Sequence, residues 1–164
     1  MAMSWWIFKR LLKVDDFGNV MPVAGHVMNT PATNQTSTGL IMQRTLGETV
    51  VFGNVLYLKS DGRLWKANAT DGTKCPAVAM ALEAGNAADV KKVCMWGPVR
   101  NDSWTWVVGS GEANLLFLSA AADGAIVTAA PSGTPGFRVQ IVARVIDSTS
   151  LFFFPTPVMV QLAS

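Results

Sequence analysis

The sequence predicts an all-β fold: a compact β-barrel or β-sandwich built from two similar β-units, with an extended N-terminal arm. Three observations carry this. From Leu40 onward the apolar runs are strand-length, rich in Val, Ile, Leu and aromatics, and broken at short intervals by Gly, Asn, Asp and Pro. The phrase NVLYLKSDGRLWKANATDG at 54–72 is echoed by NLLFLSAAADGAIVTAAPSG at 114–133. At 164 residues the chain suits one well-filled core rather than two domains.

The first 14 residues place Trp5, Phe8, Leu11 and Leu12 near helical spacing, with Lys9, Arg10 and Lys13 between them. This is an amphipathic arm suited to docking on a neighbouring subunit or on its own core, and Trp5, Trp6, Ile7, Phe8, Lys9 and Arg10 are its candidate contact residues. VDDFGNVMPVAG follows, turn chemistry between short apolar runs, and reads as a small hairpin. Residues 28–39, MNTPATNQTSTG, are small or polar without periodicity and read as an extended connector. Residues 1–39 are thus arm, hairpin and connector, and 40–164 the barrel or sandwich body. Within the body, strands are expected near 49–59, 63–68, 77–82, 90–100, 104–108, 114–119, 125–129, 137–146 and 151–162.

Both copies of the repeated phrase run Asn, two apolar residues, an aromatic, Leu, a turn with Asp-Gly, a short apolar strand and a Gly turn. A strand with a Val-Ala step follows each, in PAVAMALEAG and in FRVQIVARVIDS. In the first copy Asp61-Gly62 suits a two-residue type I′ turn. That turn would set Leu58 opposite Trp65 and Leu56 opposite Ala67 on a core face, with Tyr57 opposite Lys66 and Lys59 opposite Leu64 on an amphipathic one. Neither unit covers its own apolar face, so packing together or closing a barrel completes the core and removes strand edges.

Composition points to assembly. Only 15% of residues are charged, against roughly 25% in ordinary soluble domains, and mean hydropathy is +0.31. No run approaches the roughly 20 apolar residues that a membrane-spanning helix needs. A large oligomer interface is the economical way to bury such a surface. Thirteen basic and 11 acidic residues are scattered, with no stripe to neutralise a phosphate backbone, which argues against direct nucleic-acid binding. Cys75 and Cys94 lack metal-ligand spacing and read as buried thiols, with a disulfide left open. The N-terminus lacks the apolar core of an export signal.

Nothing in the residues points to catalysis, a cofactor or a metal. The one histidine, His26, lies in the polar N-terminal region, which argues against a His-dependent active site. Asp61, Asp71, Asp123 and Asp147 each sit in an expected turn, where a carboxylate bonds the local backbone. GSGEAN at 109–114 lacks the Lys and Ser/Thr of a phosphate loop and reads as a tight turn. Trp96, Trp104 and Trp106 straddle an Arg100–Ser103 turn, and Trp104 and Trp106 share a face. They are core, subunit contact or ligand platform. In LFFFPTPVMVQLAS, Phe153 and Phe154 are further candidate contact residues, and Pro155 and Pro157 make the start of the run an edge or an inter-subunit crossing.

Together VDDFGNVMPVAG, GETVVFGNVLYLKSDGRLWKANA and LFFFPTPVMVQL resemble small virion proteins of tailed bacteriophages, of the capsid-decoration (cement) or fibre-associated kind. The resemblance implies a β-rich, non-enzymatic subunit on the capsid surface. It further implies a homo-oligomer, commonly a trimer, that binds the major capsid protein with help from an N-terminal arm. A tail-fibre, spike or adaptor component that binds a host glycan is the alternative.

Overall fold

The structure, a computed structural model, describes residues 12–14, 20–22 and 28–163. The N-terminal hairpin is present: β1 (Leu12–Val14) pairs antiparallel with β2 (Val20–Pro22), Leu12 opposite Pro22. The remaining strands are β3 (Thr36–Ser37), β4 (Leu40–Thr45), β5 (Val55–Leu58), β6 (Leu64–Lys66), β7 (Ala77–Ala81), β8 (Val90–Arg100), β9 (Leu115–Leu118), β10 (Ile126–Val127), β11 (Arg138–Val139), β12 (Ile141–Val145), β13 (Ser150–Phe153) and β14 (Val160–Gln161). Ten of them form one sheet, curled into a half-barrel, in the order β10-β9-β12-β13-β8-β7-β5-β6, with β3 and β4 also on β8. The expected all-β class is therefore what the chain adopts.

The echo in the sequence is an echo in topology. Read from the sheet's two ends, β6-β5-β7-β8 and β10-β9-β12-β13 are the same path, and they meet at the antiparallel β8–β13 seam. Leu58 faces Leu64 and Tyr57 faces Trp65 in the first hairpin, as Leu118 faces Ile126 and Phe117 faces Val127 in the second. Gly62 and Gly124 both take positive φ, 77° and 74°. The repeated Val-Ala step marks a β-bulge. In the first unit Leu56 pairs Ala79 and Tyr57 pairs Ala77, which skips Val78; in the second Leu116 pairs Ala143 and Phe117 pairs Ile141, which skips Val142.

The expected register of the first hairpin is off by one. Lys59 N–H bonds Arg63 O, and Gly62 N–H bonds Lys59 O, so the loop is three residues, Ser60 to Gly62, rather than a two-residue type I′ turn. Only Gly62 has positive φ. Asp61 stays out of that region because its carboxylate accepts from Arg63 N–H at 2.9 Å and from Trp65 Nε1 at 3.1 Å. Both faces of β5 are buried over Val55–Tyr57. Val55 and Tyr57 join the main core, while Leu56 joins Leu46, Val50, Leu64, Ala79, Ala81 and Val93 in a smaller cluster on the other side.

β8 is the hub, and one of its edges carries β3 and then β4. The other edge carries β7 and then β13. The change of partner happens beside Gly97, whose φ is +123°. Gly39 lies against it so closely that a Cβ on Gly39 would fall 2.8 Å from Gly97 Cα. Two residues earlier, Leu40 pairs Trp96 but Ile41 pairs Cys94, leaving Met95 unpaired. That bulge turns Trp96 out of the alternation. Cys94 stays in the main core while Trp96 is exposed and stacks edge-on with Phe152, centroids 4.6 Å apart.

Some expected strands are absent or divided. Residues 104–108 form no strand, and the run expected at 49–59 is strand only from Val55. The C-terminal run divides: Ser150–Phe153 lies in the middle of the sheet, between β12 and β8, contrary to the expected edge position, because both prolines come after it. Beyond them β14 pairs β11. The polar stretch before β4 is irregular except at β3 but is tied down. Arg100 Nη1 donates to Pro31 O and Ala32 O, and Asp102 N–H donates to Asn34 Oδ1 at 2.8 Å.

Several polar ties join the units. Asn68 Nδ2 and Lys74 Nζ both donate to Asp123, at 2.6 and 3.0 Å. Gly124 N–H bonds Ala67 O, and Ala69 N–H bonds Ser119 O, drawing the two ends of the sheet together. The fully buried Gln140 copies a peptide unit: its Oε1 accepts from Ala77 N–H at 2.8 Å, and its Nε2 donates to Ala77 O at 3.0 Å and Thr156 O at 2.7 Å.

Candidate functional site

Two features of the surface stand out: a groove floored by Trp104 and Trp106, and an apolar face around β4. The groove starts from the predicted turn after β8. Asn101, buried, accepts from Trp104 N–H through its carbonyl and from Ser103 N–H through Oδ1. The chain then runs irregularly, held by Trp106 N–H to Ser148 O at 2.9 Å. Trp104 and Trp106 do lie together, centroids 5.7 Å apart and 53° between planes. Phe52 packs 6.2 Å from Trp104, and both indoles are half-buried against the main core.

A groove of about 490 Å³ lies over them, lined also by Ser103, Thr105, Val107, Gly109 and Thr128. Among the described residues the buried Trp106 Nε1 has no hydrogen-bond partner. One wall is the GSGEAN turn, closed by Asn114, which accepts from Gly109 N–H and donates to Gly109 O at 2.7 and 2.8 Å. Among the described residues the lining offers aromatic faces and hydroxyls and no ionisable side chain, which suits stacking on a neutral ring.

The expected tryptophan trio is not one cluster. Trp96 belongs with Phe152 and Phe154 on the outer face, where Phe152 and Phe154 centroids are 6.3 Å apart. Leu40, Ile41 and Met42 beside it are 57, 40 and 44% exposed. Phe154 is half-buried there, as a contact residue can be, whereas Phe153 is wholly enclosed in the main core and offers no surface. Sequence reasoning missed Leu40 to Met42. The signal was present, three consecutive apolar residues just after a polar connector, but without the bulge at Met95 nothing tied them to Trp96. Trp5, Trp6, Ile7, Phe8, Lys9 and Arg10 lie outside the described residues, as does His26.

The carboxylates behave mostly as turn residues. Asp71 and Asp147 accept from the N–H and hydroxyl of Thr73 and Thr149, two residues on. Arg63 N–H holds the Asp61 carboxyl below the usual range, Thr73 N–H does so for Asp71, and the Lys74 ammonium, then Asn68, for Asp123. Asp123 departs from expectation, since its partners are long-range. Cys75 and Cys94 are both buried free thiols, and burial pushes each thiol upward, away from reactive thiolate. Among the described residues no group of three or more His, Cys, Asp or Glu could hold a metal ion, and no helix is long and apolar enough to cross a membrane.

Comparison with protein-family models, with characterised proteins and with solved structures gave no match.

Proposed function

We propose that this chain is a structural subunit of a virion, of the capsid-decoration kind, which binds the major capsid protein and stabilises the shell from its outer surface. The observation that carries the reading is the contiguous apolar outer face of Leu40, Met42, Trp96 and Phe152, on a chain with only 15% charged residues. Such a face is built to be covered by protein. The resemblance of its strand-and-turn phrases to phage virion proteins names the kind of assembly. In this reading the subunit is a homo-oligomer without enzymatic activity, and its arm, Trp5 to Arg10, adds a second anchor. Each large apolar side chain buried there contributes about 1.5–3 kcal/mol, less the cost of ordering the arm, and repetition around an oligomer multiplies the hold.

Imaging particles that carry the subunit, with and without residues 1–14, tests this. Decoration of the shell by the full chain, and loss of occupancy with an intact β body on deletion, is the expected result. Unchanged occupancy removes the arm-anchor, and density confined to the tail removes the shell role.

The groove over Trp104 and Trp106 favours a second reading, a fibre, spike or adaptor component that stacks a host sugar ring. Trp104→Ala separates the two, paired with the rim variant Val107→Asp because Trp104 also packs on the core. Lost host adsorption with normal particle stability supports the fibre; lost shell stability supports the decoration subunit.

A further inference from the structure

Open strand edges invite pairing, and natural sheets blunt them with proline, lysine, bulges or a covering segment. This sheet treats its edges unequally. The β6 edge is covered: Gly47 N–H bonds Leu64 O, Leu46 bridges Leu64, and Lys66 N–H bonds Glu48 Oε1 at 2.7 Å. The β4 edge is not: among the described residues β4 pairs with β8 alone. Its sequence, LIMQRT, holds neither proline nor lysine, and its first four residues are exposed. The one charge, Arg44, donates to Gly62 O of the β5–β6 turn at 3.4 Å.

We infer that two copies of this chain pair through β4, antiparallel about a two-fold axis at Ile41, continuing the sheet from one subunit into the other. The strand is self-complementary in that register. Ile41 faces Ile41 of the second copy, and Leu40 faces its Met42 on both sides of the axis, so each of the three exposed apolar side chains meets an apolar one. Arg44 falls opposite Thr38, so like charges do not face each other. Leu40 and Trp96 are direct cross-strand partners and share a face. Trp96, itself 46% exposed, therefore flanks the Leu40–Met42 contact and extends it across β8 toward Phe152. An isologous contact of this kind satisfies the free N–H and C=O groups of both edges at once. It stands independently of the virion reading, because it rests on the register and exposure of β4 alone.

The test uses the full chain. Sedimentation should give twice 17.5 kDa at concentrations where Ile41→Arg, which sets two guanidinium groups against each other on the axis, sediments as a monomer with an unchanged circular dichroism spectrum. Ile41→Cys should cross-link to a dimer within minutes of adding oxidised glutathione, since facing residues in an antiparallel pair lie about 4.5–5.5 Å apart. Gln43→Cys, which faces Gly39 of the second copy, should cross-link at least tenfold more slowly. All cysteine variants carry Cys94→Ala, because Ile41 is the direct cross-strand partner of Cys94 and a thiol at 41 would otherwise bond to it within one chain; the native Cys75 is buried. A monomeric wild type, equal cross-linking of the two variants, or an oligomer untouched by Ile41→Arg would overturn the inference. So would an intramolecular cross-link in Trp6→Cys/Ile41→Cys without a dimer, which would assign the edge to the chain's own N-terminal arm.

Discussion

Replacing Gln140 by Leu keeps nearly the same bulk at a site with no exposed surface but removes three hydrogen bonds. Ala77 N–H loses its acceptor, and Ala77 O and Thr156 O lose a donor, all beside the main core. A buried donor left without a partner costs about 1–3 kcal/mol, and a carbonyl somewhat less. Summed, Gln140→Leu should destabilise by about 3–5 kcal/mol, which for a domain of this size lowers the melting temperature by roughly 6–20 °C. Gln140→Glu gives a sharper signature. Its Oε1 can still accept from Ala77 N–H, but a carboxylate would confront two carbonyl oxygens, so the folded state favours the protonated acid. The folded pKa then lies above the unfolded value of about 4.3, the folded state binds more protons, and the deficit relative to wild type grows as pH rises through and above that value. Urea unfolding followed by tryptophan fluorescence at pH 4 and pH 7 measures both effects. A loss under about 1 kcal/mol for the Leu variant, or an equal deficit of the Glu variant at both pH values, would refute the view that Gln140 stands in for a peptide group.

Other outcomes follow from the same contacts. Asp123 is held below its ordinary pKa by Lys74 and Asn68, so its share of stability is full above the unfolded value of about 3.9 and is lost as pH falls through that range; Asp123→Asn should flatten the acid limb of a stability-versus-pH curve. Phe153→Ala should cost about 3–5 kcal/mol in chemical denaturation, as a core truncation does, a cost that a surface contact residue would not show. Gly97→Ala should lower the melting temperature more than Gly133→Ala, because both have positive φ but only Gly97 meets a neighbouring backbone, that of Gly39.

What could be read from the residues and what could not divides along physical lines. The duplication was legible because its landmarks, the aromatic of each hairpin, the Asp-Gly and the Val-Ala step, are local and recur in order. The step proved more informative than expected, since it marks the bulge at Val78 and at Val142. The β5–β6 register was missed because two turn types compete for the same Asp-Gly, and the deciding bonds from Arg63 and Trp65 to Asp61 depend on the turn already formed. Phe153 and Phe154 are adjacent and alike in composition, and only the strand's alternation against β8 and β12 separates core from surface. The division of the tryptophans depends on a bulge at Met95 that no residue preference marks, and Gln140 looks in sequence like any polar residue between strands.

The cluster that ties residues 31–34 to the end of β8 bears on how the molecule carries force. A pull on the N-terminal segment would otherwise peel β3 and β4 from β8 one residue pair at a time, starting at Thr36 opposite Arg100, which is the weakest way to load a strand pair. The bonds from Arg100 to Pro31 O and Ala32 O, and from Asp102 to Asn34, lie upstream of that point. Tension therefore reaches this knot first, where several bonds must break together. The open edge of β4 stays in place while the chain ahead of it is under load.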